Sequence, residues 1–288
     1  MRLNATLIAA LLVGGALVAW IFTVARMRGM DDGPGTDLGG LGWYVGIWVT
    51  MMAAMMLPSV APMVLLFARV SNEREKRGQA FVPTWVFVAG YFAVWTAYGL
   101  LGYGIYRLLT SFDTGVFAWD RAGPYLAGGA IAAAGIYELT PLKRVCLKHC
   151  RSPLHYVLGG WKPGRLGAFR MGVEHGGYCV GCCWGLMLIL FALGVMSLLW
   201  MAVVAAVIFA QKVLPHGERL ATASAVAFVA FGIWVAAAPG HVPGLTKPGS
   251  APAMHMSPAR RMGPSGRMGK PMRQMEPRDQ MAPAPRMK

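Results

Sequence analysis

Charge is scarce in this sequence, and acid is scarcer still: 14% of the 288 residues are charged, and Asp plus Glu number 12 against 27 Lys plus Arg. A soluble domain carries about 25% charged residues, so a chain that is 56% hydrophobic has more apolar surface than a water-facing fold of this size can hide. The signatures of nucleotide-dependent and hydrolytic chemistry are missing too. There is no Walker A loop, no dinucleotide fingerprint, no His-Glu-x-x-His and no Gly-x-Ser-x-Gly. No period of about 20 to 50 residues recurs, which argues against a repeat solenoid and an obvious inverted-repeat transporter.

What the sequence has is long apolar runs, and a mean hydropathy of +0.49. A helix needs about 20 apolar residues to cross a hydrocarbon layer of roughly 30 Å. Seven runs are candidates: Ala5 to Ala25, Leu41 to Phe67, Phe81 to Tyr106, Pro124 to Leu139, Gly172 to Leu193, Val195 to Gln211 and Leu220 to Ala238. The expected fold is therefore an all-α polytopic transmembrane helix bundle embedded in a lipid bilayer. It has seven spans, or six if the first run is a cleaved signal; the length of that run and the lack of an Ala-x-Ala site after it favour an anchor. The chain divides into an N-terminal anchor and external loop (1–40), a bundle (41–238) and a tail (239–288).

The net charge of +15 is distributed between spans, a pattern that excludes nucleic acid as a partner. Arg69, Arg74, Lys76 and Arg77 follow the second span, and Lys143, Arg144, Lys148, Arg151, Lys162, Arg165 and Arg170 separate the fourth from the fifth. With Arg2, Lys212 and Arg219 they fall on one side, against Arg26, Arg28, Arg107 and Arg121 on the other. The positive-inside rule then puts the N-terminus in the cytoplasm and the tail outside it. The fifth and sixth spans are separated by little more than Gly194, which predicts a tight antiparallel hairpin with Cys179 and Met201 on neighbouring helices.

The chemistry-bearing residues cluster. Cys179, Cys182 and Cys183 fall within five residues, with His175 before them and Met187 after. At about 100° per residue, Cys179, Cys182, Cys183 and His175 share roughly one third of a helix circumference. Thiolate, thioether and imidazole are ligands for Cu(I), with Zn(II) the competitor for Cys/His sites. Gly176, Gly177, Gly181 and Gly185 offer a bland alternative, close packing of membrane helices, but packing by glycine needs no thiols.

In the second span Met51, Met52, Met55 and Met56 precede Pro58 and Pro62-Met63. Met stripes usually fill cores, yet Met51 and Met55 are also candidate ligands, because thioether suits Cu(I) and suits Zn(II) poorly. Cys146, His149 and Cys150 have the i, i+3, i+4 spacing of one helical face. That face fits a port where metal enters or leaves, and equally a basic amphipathic segment resting on anionic lipid. Glu138 and Glu174 lie near or in the apolar zone and read as counter-ions to Lys or Arg; Asp31, Asp32 and Asp37 read as solvated loop residues. The tail, rich in Pro, Met and Arg, cannot bury enough apolar surface to order itself. Its Met254-His255-Met256 and the later methionines fit a flexible copper collector, and its charge fits a membrane-surface tether.

The strings MMAAMMLP (51–58), YELTPLKRVCLKHCRSP (137–153) and GGYCVGCCWGLMLILFALGVMSLLWM (176–201) resemble a bacterial family of predicted metal-binding integral membrane proteins, some of whose members are described as copper chaperones. Three separated motifs in the same order, over roughly 41 to 217, make the likeness specific. The resemblance implies a multi-pass inner-membrane protein that binds metal, with Cys146, Cys150, Cys179, Cys182 and Cys183 at the family's Cys positions. It does not identify the metal. The family more often has Gln at 138 and Glu at 211, where this chain has Glu138 and Gln211.

Three readings follow. The first is a non-enzymatic copper chaperone that holds Cu(I) through Cys179, Cys182 and Cys183, helped by Met51 and Met55, and passes it to a secreted or membrane cuproenzyme. The second is a membrane thiol-disulfide oxidoreductase using Cys179 with Cys182 and Cys146 with Cys150. The third is a copper transporter, passive or ion-coupled for want of an ATP site.

Overall fold

The computed structural model describes residues 5–27, 38–79, 81–111, 122–193 and 197–241. Among them the chain is helical, without a strand, and runs α1 (Ala5–Met27), α2 (Leu41–Lys76), α3 (Thr84–Ser111), α4 (Gly123–Glu138), α5 (Pro141–Arg151), α6 (Pro153–Gly159), α7 (Gly164–Leu193), α8 (Leu198–Val213) and α9 (Gly217–Ala237), then a 3₁₀ turn (Pro239–His241). Asp31, Asp32, Asp37, Gly194 and the tail's Met254, His255 and Met256 lie outside the described residues.

Five helices (α1, α2, α3, α7 and α9) are long and apolar enough to cross a membrane, so by this measure the expected count of seven spans is not reached. The reason is local. Pro124 opens α4 and the Thr140-Pro141 corner follows its end, while Ser197 and Leu214-Pro215 bound α8, leaving 16 residues in each. Both short helices are covered by neighbours: α4 lies on α9 and α7, and α8 lies among α2, α7 and α9. The long helices turn apolar side chains outward. On α1 the stripe Ile8, Leu12, Ala16, Ala19, Thr23 and Met27 is buried while Leu11, Val18 and Ile21 are exposed, a pattern compatible with a lipid surround.

Two helix pairs meet through glycine. In the antiparallel α4–α9 pair, a Cβ on Gly128 would run into the Gly232 carbonyl oxygen, and a Cβ on Gly232 into that of Gly128. In the parallel α3–α7 pair, Gly90 faces the Phe169 carbonyl and Gly172 faces that of Phe87 in the same way. Small residues allow such approach, and dispersion and packing drive helix association where no water is expelled.

α2 runs unbroken through Pro58 and Pro62. Each proline removes an intrahelical hydrogen bond; Ser59 Oγ donates to the Met56 carbonyl at 3.0 Å just past the first. α5 begins with Thr140 as N-cap, its side chain accepting from the Lys143 amide, and Pro141 at the first turn. Its apolar side does not rest on a surface. Lys143, Cys146 and Leu147 are buried against α7 and α8, and Arg144, Val145 and Lys148 face outward.

Replacing Gly232 by Val should separate α4 from α9 and lower stability by at least the 1–3 kcal/mol or so typical of overpacking. Thermal unfolding of the detergent-solubilised protein, followed by circular dichroism, measures this. An unshifted midpoint would mean that the two backbones do not meet there.

Candidate metal centre

α7 interleaves glycines with its cysteines, Gly176 beside the thiols and Gly181 and Gly185 turned away from them. Gly176 approaches Tyr91 and Val94 of α3, Gly181 lies under the Cys146 sulfur, and Gly185 meets Ala134 and Tyr137 of α4. Glycine therefore does seat the neighbours of α7, as the packing alternative supposed. The thiols do something separate. The Sγ atoms of Cys179, Cys182 and Cys183 lie within 4.8 Å of one another, and the three residues are 0 to 2% exposed. Cys182 Sγ is 3.3 Å from Cys183 Sγ and donates to the Cys179 carbonyl at 3.2 Å. All five cysteines are free thiols.

Groups from three other helices complete the surroundings. The Lys212 ammonium of α8 is 2.9 Å from Cys179 Sγ, and the Tyr91 hydroxyl of α3 is 3.0 Å from the same sulfur. Cys150 of α5 brings a fourth thiol, 3.7 Å from Cys182 Sγ. The α7–α8 hairpin is antiparallel as expected, but the residue of α8 that reaches Cys179 is Lys212, near its C-terminal end.

The other candidates distribute themselves unevenly. His175 shares the buried face of α7 but not the compact sulfur group. Its ring lies 5.5 to 6.0 Å from those of Tyr156, Tyr91 and Phe87, and its buried Nδ1 makes no hydrogen bond among the described residues. His149 stacks flat on Tyr178 at 4.2 Å, with Nδ1 against the Val145 carbonyl at 2.9 Å. Cys146 packs on the α7 backbone at Gly181, where a Cβ would come 2.7 Å from its sulfur. In α5, outside the spanning helices, burial holds the Cys146 thiol above its ordinary pKa while Lys143 opposes the shift. The proposed face Cys146, His149, Cys150 is thus divided, and only Cys150 joins the sulfurs. Met51 and Met55 are buried in α2 in the same continuous core, with nothing in the described contacts tying their sulfurs to the thiols.

A second buried centre lies next to the first. The Lys143 ammonium, 0% exposed, pairs with Glu138, 2% exposed, at 2.7 Å, and also donates to Gln211 Oε1 at 2.9 Å and to the Cys182 carbonyl. Gln211 Nε2 in turn donates to Glu138 Oε2 at 2.7 Å and to Ser224 Oγ at 2.8 Å. Glu138 is the counter-ion expected of it, though inside the bundle rather than at its edge. A cavity of about 310 Å³ lined by Glu138, Lys143, Arg144, Glu218 and Arg219 opens beside the pair. Glu174 pairs with Lys162 near the surface.

Reasoning from sequence alone takes Lys143 and Lys212 only as loop charges, passes over Tyr91, and reaches Gln211 only through the family likeness. The available signal was the polar pair Gln211-Lys212 ending an otherwise apolar helix, and the spacing of Glu138 to Lys143 around a Thr-Pro corner.

The family model described as copper chaperone, PpoB2, matches residues 45–235, a span that contains all five cysteines, the Met cluster and both buried lysines. The chain belongs to this family. No curated protein and no solved structure matches it. For a copper chaperone the buried thiols of α7 are a donor set of the right softness, and copper is its cargo.

Glu138 and Gln211 each offer Lys143 an oxygen and hydrogen-bond one another, so one of the two must carry the negative charge that balances the ammonium. Glu138→Gln alone should leave Lys143 buried without a counter-ion and cost about 3–5 kcal/mol, whereas Glu138→Gln combined with Gln211→Glu should recover most of it. Thermal or denaturant unfolding of the three proteins checks this, and a double variant as unstable as the single one would contradict it.

Proposed function

We propose that this chain is a multi-pass protein of a bacterial cytoplasmic membrane that holds Cu(I) through Cys179, Cys182 and Cys183 and delivers it to a secreted or membrane cuproenzyme. The observation that carries this reading is three thiols within 4.8 Å of one another in a buried part of the bundle. Soft thiolate ligands select Cu(I). A structural Zn(II) site closes with four ligands, and here the fourth thiol, Cys150, neighbours Cys182 while Lys212 occupies the flank of Cys179.

Lys212 supports the assignment on grounds of charge. A Cu(I) ion held by two or three thiolates carries net negative charge, and uncompensated charge is costly in a low-dielectric interior. An ammonium 2.9 Å from one of the sulfurs supplies the balance without adding a hard oxygen ligand. The burial of Cys179 and Cys182 also counts against that pair as the redox couple of a thiol-disulfide oxidoreductase, since one of the two must reach the partner's disulfide.

Orientation follows from the loops. With the basic α4–α7 connection in the cytoplasm, the α4–α5 corner and the C-terminal end of α8 lie at that face, and so do the sulfurs near them. Copper would then be exchanged at the inner end of the bundle, where Cys150 also lies.

Purified protein loaded anaerobically with Cu(I) should hold stoichiometric copper by metal analysis, and replacing Cys179, Cys182 and Cys183 together by Ser should abolish it. Lys212→Leu should keep the stoichiometry and weaken Cu(I) affinity by about tenfold or more, read by competition with a chromogenic Cu(I) chelator. A wild-type protein that ignores Cu(I), or takes Zn(II) in its place, would overturn the reading.

A further inference from the structure

Cu(I) passes between thiols by ligand exchange, in which the incoming sulfur binds before the outgoing one leaves. An outside donor must therefore touch the ion. The three α7 cysteines are 0 to 2% exposed, enclosed by α3, α5 and α8, so a donor or acceptor in solution has no contact with them. Cys150 differs from them in one respect. It is only partly buried, yet its sulfur is 3.7 Å from Cys182 Sγ, close enough for one ion to meet both.

The chain on either side of Cys150 is fastened. Before it, the His149 ring lies flat on Tyr178, the residue next to Cys179. After it, the Arg151 guanidinium donates to the carbonyls of Gln211 and of Pro215, the latter at 2.8 Å, anchoring α5 to the end of α8. A Cβ on Gly217 would collide with that guanidinium, so the α8–α9 turn is shaped around it. These contacts fix the position of the Cys150 sulfur, and fixed position is what a transfer step needs.

We propose that Cys150 is the exchange thiol of the site: Cu(I) passes between an outside thiol donor and the buried sulfurs of α7 by way of Cys150, which is not one of the ligands that hold it at rest. The proposal rests on the copper reading above. On uptake, a Cu–S bond to Cys150 forms as the bond to the donor breaks, and the Cys150 proton goes to the departing thiolate. A second exchange forms the bond to Cys182 and breaks that to Cys150, and the Cys182 proton returns to Cys150. Copper stays Cu(I) throughout and no electron moves. Release is the same path reversed.

A thiol on the path but outside the resting set changes rates in both directions and leaves affinity alone. Full-length wild-type protein, Cys150→Ser and Cys150→Met, solubilised and handled anaerobically, should each be loaded with Cu(I)–glutathione and unloaded with bathocuproine disulfonate under stopped flow. Cys150→Ser should bind the same amount of copper with the same affinity, with uptake and release both slower by about tenfold or more. Cys150→Met, which restores a soft donor, should recover part of both rates, which a purely structural role would not produce. Wild-type rates in Cys150→Ser would overturn the proposal. Weaker binding with faster release would also overturn it, since Cys150 would then be a resting ligand. If the wild-type protein binds no Cu(I), the copper reading itself has failed, and that outcome is distinct from the other two.

Discussion

The Lys143 ammonium has three hydrogens and three acceptors, and each acceptor comes from a different helix: Glu138 ends α4, the Cys182 carbonyl is in α7, and Gln211 is in α8. A charge this deep is tolerated only when paired and fully hydrogen-bonded, so the positions of four helices, counting α5 which carries the lysine, are set against one another by one group. Gln211 extends the constraint to α9 through Ser224. The donor aimed at Cys182 holds the α7 backbone at the residue whose sulfur is central to the thiol group. In this way the polar network fixes where the sulfurs stand without contributing an atom to them.

The thiols and the glycines of α7 need each other. A helix that must carry three sulfurs toward one point needs its neighbours close, or the space between helices would hold lipid tails or water. Gly172 and Gly176 bring α3 near enough for Tyr91 to reach Cys179, and Gly181 lets α5 in near enough for Cys150 to reach Cys182. Packing and metal binding, which compete as explanations when the sequence is read alone, share one helix, with Gly172 and Gly176 beside the thiols and Gly181 turned away from them, and depend on the same close approach.

Much of this was legible in the residues. Helical arithmetic put Cys179, Cys182 and Cys183 together, because their geometry is local to one helix and needs no knowledge of the neighbours. The same arithmetic grouped Cys146, His149 and Cys150, and there it went only part of the way, since which member of a face joins a site is decided by the surface it meets: Cys146 met a glycine, His149 a tyrosine ring, and Cys150 a sulfur. Lys143 and Lys212 were counted as loop charges that mark a membrane side. A charge count assumes water around each lysine, and these two are buried with partners 68 and 33 residues away in sequence. No local pattern carries that information. The family likeness rested on strings that are local as well, and the match over residues 45–235 extends it through α9.

Holding a soft ion and giving it up make opposite demands on depth. A site open to water exchanges quickly, and its thiols oxidise; a closed one protects the ion and traps it. Here the demands are separated by position. Three sulfurs and their counter-ion are enclosed by α3, α5, α7 and α8, and a single thiol of the short, basic helix α5 stands at the boundary. α5 is also the element least suited to lie within lipid, with Arg144 and Lys148 on its outer face. Cys150, half-buried beside the enclosed sulfurs, is carried by that polar helix, so under the proposal the edge of the bundle divides the thiols that would keep copper from the one that would exchange it.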